Sequence, residues 1–103
     1  MADTNLNLEV RLEQLEDHRR SIDNLDSALL AILAERFRLT EKIGRSKAAA
    51  GVEPMDAERE RTQLERFRVI ASTHGLDVDV AVDVMARIIE HVKARHEALQ
   101  RAR

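Results

Sequence analysis

The fold is decided by one uninterrupted stretch, residues 8–50, LEVRLEQLEDHRRSIDNLDSALLAILAERFRLTEKIGRSKAAA. It has no proline and a single glycine, Gly44, and it is rich in Leu, Ala, Glu, Arg and Lys, which favour helix. As one helix it would be about 60 Å long, whereas a compact domain of this size has a radius of gyration of about 13 Å. We therefore predict that a second copy of the chain covers part of this helix, in a homodimer.

An apolar stripe at steps of three and four runs along the predicted helix and comprises Ile22, Leu25, Leu29, Ile32, Leu39 and Ile43. Arg36 occupies a position in the stripe where an apolar residue is expected. Because an unpaired buried charge is costly, either a carboxylate of the chain or an anionic ligand must neutralise Arg36. Lys47 follows close to three turns later and faces the same way. The alternative for both cations is an internal ion pair, or a side chain at the edge of the stripe that extends its charge into solvent.

Arg19 precedes Arg36 by a distance of roughly 25 Å along the helix and lies about 100° around it. The two side chains are too far apart to hold one small molecule from a single chain. If two long helices pair antiparallel, Arg19 of one subunit can reach the groove that contains Arg36 and Lys47 of the other.

Two further helices follow, so the predicted fold is all-α with three helices in an intertwined homodimer. The segment from Gly51 to Met55 is predicted to end the first helix, since Pro54 prevents its continuation. Asp56 is predicted to cap a second helix that ends near Gly75. The apolar face of the second helix is Leu64, Phe67 and Ala71.

The third helix is predicted to begin at Leu76-Asp77, with Asp77 or Asp79 as its cap. Its apolar stripe comprises Met85, Ile88, Ile89, Val92 and Leu99. His96 lies within this stripe, as a core histidine or as a ligand-binding or catalytic group. On the second helix, Asp56, Arg59 and Glu60 point the same way, either as a cap with surface ion pairs or as part of a site.

The composition of the 103 residues predicts one domain, residues 1–103, with residues 1–7 and 101–103 frayed. A net charge of -2 and only two aromatic residues disfavour nucleic acid, and the absence of a long apolar run disfavours a membrane span. Without cysteines or a signal-like start, we expect a cytoplasmic protein. The four histidines form no metal-ligand spacing, so no metal is predicted.

Four segments closely resemble the all-helical chorismate mutases of the AroQ type: RRSIDNLD (19–26), LAER (33–36), IGRSK (43–47) and DAERER (56–61). The resemblance runs from about His18 to Leu99. It implies an intertwined homodimer with two active sites, each completed by the partner's first helix, with no cofactor and no covalent intermediate. It also implies chorismate as substrate and prephenate, on the route to phenylalanine and tyrosine, as product.

The resemblance gives each site residue a role. Arg19 of the partner and Arg36 would hold the substrate's carboxylates, and Lys47 would bind the ether oxygen and a carboxylate. Glu60 would accept the ring hydroxyl, with Asp56 alongside it. The resemblance further implies that Arg59 helps to hold the carboxylate end and orients Glu60.

The third helix departs from the family pattern at two positions. His96 stands where the family usually has a glutamine, or sometimes a glutamate, as second donor to the ether oxygen, and Val92 replaces a carboxylate-binding serine. An imidazole can also donate a hydrogen bond. These departures leave open isochorismate pyruvate lyase, 4-amino-4-deoxychorismate mutase, or a weakly active helical dimer that regulates another shikimate-pathway enzyme.

Overall fold

The computed structural model describes residues 2–53 and 57–102, with side chains from residue 4 onward. These described residues form three helices, α1 (Ala2–Ala50), α2 (Ala57–Thr73) and α3 (Val78–Arg101). The described residues thus confirm the prediction of an all-α fold with a long first helix. α1 begins at Ala2 rather than near Leu8. The predicted cap Asp56 lies outside the described residues.

The end of α1 is fixed by local backbone chemistry. Gly51 has a φ of 69°, in the left-handed region that favours glycine. Its N–H donates to the carbonyl of Ala48 at 3.2 Å, and the N–H of Val52 donates to the carbonyl of Lys47 at 2.8 Å. This pair of bonds is a Schellman motif, which satisfies carbonyls that the helix end would otherwise leave unpaired.

The turn between α2 and α3 uses the same motif. Gly75 has a φ of 67°, and the N–H of Leu76 donates to the carbonyl of Ala71 at 2.9 Å. Asp77 then caps α3, because its carboxylate accepts from the N–H of Val80 at 3.1 Å. Both the predicted end of α2 near Gly75 and the predicted cap Asp77 are confirmed.

The chain divides into two compact units, Met1–Arg36 and Phe37–Arg103, and the boundary falls within α1. In the second unit, the predicted stripe of α3 forms the core, with Ile89, Val92 and Leu99 buried. The face of α1 that packs there is made of small residues, since Gly44 and Ala48 are buried. Close approach of two helices is easiest where side chains are small.

The apolar stripe predicted for α1 is not buried within this chain. In the second unit, Leu39 and Ile43 are about half exposed. In the first unit, the exposed large apolar residues of the stripe are Ile22, Leu25, Leu29 and Ile32. No helix in the described ranges is long and apolar enough to span a bilayer.

Candidate active site

The first unit contributes two predicted site residues, Arg19 and Arg36. Arg19 is exposed and Arg36 is partly buried. Both lie on the same continuous helix, seventeen positions apart, so the distance of roughly 25 Å predicted between them is retained. Among the described residues, Arg36 forms no ion pair.

Lys47 lies in the last turn of α1, in the second unit, and its side chain is partly buried. Its carbonyl belongs to the Schellman motif, so the backbone that carries the ammonium group is held in place. A cation in this turn also interacts favourably with the negative end of the helix dipole. Lys47 forms no ion pair with any side chain that the structure describes.

Contacts with α3 hold this end of α1 on both sides of Lys47. After it, Gln100 Nε2 donates to the carbonyl oxygen of Val52 at 2.7 Å. Before it, the guanidinium of Arg95 binds the carboxylate of Glu41, with Nη2 to Oε1 at 2.7 Å and Nε to Oε2 at 2.9 Å. A two-point contact of this kind fixes orientation as well as distance.

The Arg95 contact also affects the protonation of Glu41. The hydrogen bond from Arg95 holds the pKa of the Glu41 carboxyl below its usual range; burial opposes this shift, and the charges of Arg95 and Arg45 add to it. The same hydrogen bond raises the pKa of the Arg95 guanidinium. The pair is therefore ionised at neutral pH.

His96 lies in the core of the second unit, where only 4% of its surface is exposed. Its Nε2 is 2.8 Å from the carbonyl oxygen of Thr40 on α1. Because a carbonyl only accepts, Nε2 carries the hydrogen and donates it. Nδ1 is buried and has no hydrogen-bond partner among the described residues.

This geometry limits how His96 can act on a substrate. Nε2 is already engaged with the backbone of α1, so donation to an ether oxygen requires a protonated Nδ1 or loss of the bond to Thr40. Val92, one turn earlier on α3, is also buried. The catalytic role expected for His96 stays a prediction.

Glu60 lies in the first turn of α2, and Lys93 of α3 binds it: Lys93 Nζ donates to Glu60 Oε2 at 3.0 Å. The two side chains are partly exposed, Lys93 by 39% and Glu60 by 26%. Arg59 is exposed on the same turn of α2, and Asp56 is not among the described residues. A shallow depression of about 390 Å³ on α2 includes Glu60 in its lining, so solvent reaches this carboxylate.

Three residues around the site were not found from the sequence: Lys93, Thr40 and Gly44. Lys93 follows Ile89 by four residues and so extends the apolar stripe of α3, the same signal that identified Arg36. Thr40, Gly44 and Ala48 are small residues at steps of four, a spacing that indicates a close helix contact. Among the described residues, no group of three or more His, Asp or Glu side chains is arranged to bind a metal ion.

Comparison with known proteins gives one consistent result. A family model described as chorismate mutase type II matches residues 18–97. The chorismate mutase of Methanocaldococcus jannaschii is 31% identical over 83 residues, which are 81% of this chain and 84% of that protein. The intracellular chorismate mutase of Mycolicibacterium smegmatis is 29% identical over 65 residues, 63% of this chain and 62% of that protein.

A longer relative shows the same similarity over one part of its length. The bifunctional chorismate mutase/prephenate dehydratase of Escherichia coli K12 is 36% identical over 81 residues, which are 79% of this chain but 21% of that protein. With the helical fold, these similarities define an enzyme of the isomerase class. The chain belongs to the type II chorismate mutase family, which confirms the resemblance found in the sequence.

Proposed function

We propose that this chain catalyses the rearrangement of chorismate to prephenate. The observation that carries the proposal is that the family match over residues 18–97 includes all the predicted binding residues. These are Arg19, Arg36, Lys47, Asp56, Arg59, Glu60, Val92 and His96.

The reaction breaks the ether C–O bond of chorismate and forms a new C–C bond within the same molecule, so no atom is gained or lost. Negative charge grows on the ether oxygen as the bond breaks. The ammonium group of Lys47 is suited to stabilise this charge, because the end of α1 that carries it is held by Gln100 and Arg95. Donors that are already positioned need no reorganisation as the charge develops.

Three of the remaining binding residues are arginines, whose positive charge suits a dianionic substrate. Arg36 and the partner's Arg19 would bind the two carboxylates of the dianion, and Arg59 would assist at the same end. Glu60 would accept the ring hydroxyl. Holding the flexible substrate in its reactive conformation contributes the rest of the rate enhancement.

We further propose that the active enzyme is a homodimer with Arg19 supplied across the interface. The support is twofold: the separation of roughly 25 Å between Arg19 and Arg36 on one helix, and the exposure of Ile22, Leu25 and Ile32 on that helix. Light scattering coupled to size-exclusion chromatography measures the oligomeric state.

Subunit mixing tests the shared site. Dimers formed from Arg19→Ala and Arg36→Ala chains contain one site with both defects and one with neither. Activity should reappear when the two inactive variants are mixed under conditions that exchange subunits. Mixed dimers that form but stay inactive would show that each site is built from one chain.

The substrate is tested by incubating the purified protein separately with chorismate and isochorismate and analysing for prephenate and pyruvate. Prephenate from chorismate supports the proposal. Pyruvate from isochorismate alone would instead identify a lyase of the same fold, and no product from either would refute independent catalysis on these two substrates. We also propose a cytoplasmic location, supported by the intracellular relative, and fractionation of cells that express the native gene tests it.

A further inference from the structure

The ion pair between Lys93 and Glu60 joins two different helices at a residue of the proposed site. Lys93 lies on α3 and Glu60 on α2, and their Nζ and Oε2 atoms are 3.0 Å apart. On α3, Arg95 forms another interhelical ion pair, with Glu41 of α1. Glu41 is not a proposed binding residue, and its pair with Arg95 instead holds the end of α1 that carries Lys47.

Lys93 occupies only part of the hydrogen-bonding capacity of Glu60. The contact uses Oε2. A carboxylate has two oxygens and about four acceptor positions, so it can bind an ammonium group and a hydroxyl together. While Lys93 holds Oε2, Oε1 can therefore accept a hydrogen bond from the ring hydroxyl.

The positive charge of Lys93 also matters for binding an anionic substrate beside Glu60. The proposed substrate is a dianion, and a carboxylate beside it would repel it unless a cation offsets the charge. The hydrogen bond that Lys93 donates to Glu60, and next the charge of Glu60, raise the pKa of Lys93; burial opposes this shift, and Glu97 and Glu90 add smaller contributions to it. Lys93 is therefore a permanent cation at neutral pH.

We propose that Lys93 is a positioning residue of the substrate site, which orients the Glu60 carboxylate toward the ring hydroxyl and offsets its charge against the dianionic substrate. This inference rests on the proposed function. The family pattern described above does not include Lys93. The proposed role of Lys93 adds to that of Glu60. A carboxylate that accepts the ring hydroxyl would repel the dianionic substrate unless a cation lies close by.

The test compares steady-state kinetics of chorismate turnover in Lys93→Met, Lys93→Arg and the wild type. Lys93→Met should raise KM about tenfold with a much smaller change in kcat, because the lost interaction acts mainly on binding. Lys93→Arg should have the KM of the wild type, since it keeps the positive charge. Arg87→Met is the matched control, because it removes an exposed ion pair, with Glu90, from the same helix and should leave KM unchanged.

Double mutants of Lys93 and Glu60 show whether Lys93 acts by positioning the Glu60 carboxylate or only by its charge. In a Glu60→Gln background, Lys93→Met should change KM about twofold or less, because there is no carboxylate left to orient or offset. An equally large change in both backgrounds would overturn the proposal. Circular dichroism and thermal melts of every variant exclude a loss of fold.

The wild-type enzyme distinguishes this inference from the proposed function. If the wild type forms no prephenate, the proposed function fails, and the role of Lys93 fails with it. If the wild type is active and Lys93→Met leaves KM unchanged, only the role of Lys93 is overturned.

Discussion

Replacement of Gly44 by alanine should destabilise the protein, although the same change is stabilising in most helices. A Cβ atom at Gly44 would lie 2.5 Å from His96 Cδ2, 2.7 Å from His96 Nε2 and 3.0 Å from Leu99 Cδ1. His96 and Leu99 are both buried, so neither side chain can move aside into solvent. The new methyl group must therefore displace the His96 ring or push α1 away from α3.

The sign of the effect depends on three contributions. Alanine gains about 1 kcal/mol over glycine from helix propensity. Overpacking a filled core costs about 1 to 3 kcal/mol, and weakening the bond from His96 Nε2 to the Thr40 carbonyl costs about 1 kcal/mol more. The sum is a net loss of about 1 to 3 kcal/mol in the free energy of unfolding.

Urea denaturation followed by circular dichroism measures this loss, at one fixed protein concentration because association contributes to stability. Ser46→Ala, at an exposed position of the same helix, is the control and should be slightly stabilising. In a His96→Ala background, Gly44→Ala should become neutral or stabilising, because the ring that it strikes is absent. A Gly44→Ala protein more stable than the wild type, or an equal loss without His96, would refute the reasoning.

Two other changes address the charged groups. Lys47→Ala should keep its helix content and lower kcat/KM about a thousandfold, because it removes the cation that we propose stabilises the developing charge; loss of helicity would contradict this. Glu41→Gln should make the free energy of unfolding less dependent on pH in the acid range. Arg95 lowers the pKa of Glu41 in the folded state. The ion pair's contribution to the free energy of unfolding is therefore complete above the pKa of Glu41 in the unfolded chain, about 4.3, and is lost as the pH falls through its pKa in the folded state. Equal acid sensitivity of the two proteins in urea titrations would contradict it.

The ends of the helices were predictable because they depend on single residues. Gly51 and Gly75 adopt positive φ, and few other residues do so without strain. Asp77 caps α3 through a bond to a residue three positions away. Such signals need no knowledge of the tertiary structure.

The packed face of α1 was not predictable by the same means. Hydropathy favours the large side chains Leu39 and Ile43, whereas the face that contacts α3 contains Thr40 and Gly44, whose side chains are polar or absent. The shape of α3 selects that face of α1, because the His96 ring needs the space over Gly44. Hydrophobicity measures transfer from water and carries no information about shape.

The candidate site was also predictable only in part from the sequence. Family resemblance predicts Glu60 as a site residue, but the sequence gives no pairing between it and Lys93. The two residues are 33 positions apart, and the contact exists only after α2 and α3 have packed. For His96, the sequence identified a polar group in an apolar stripe but not its partner. The bond to the Thr40 carbonyl shows that a buried imidazole can be satisfied by backbone on a neighbouring helix.

In the second unit, α1 has two faces with different partners: one packs on α3 and the other is half exposed. Gly44 and Thr40 are occupied by α3, so Leu39 and Ile43 on another face cannot join the core of the same chain without rotating the helix and breaking the contact with His96. These two side chains remain about half exposed. Burial of both by a second copy would add apolar contact while leaving the face toward α3 unchanged. The same helix can therefore pack Thr40 and Gly44 against its own α3 and present an apolar surface to a partner, as the proposed dimer requires.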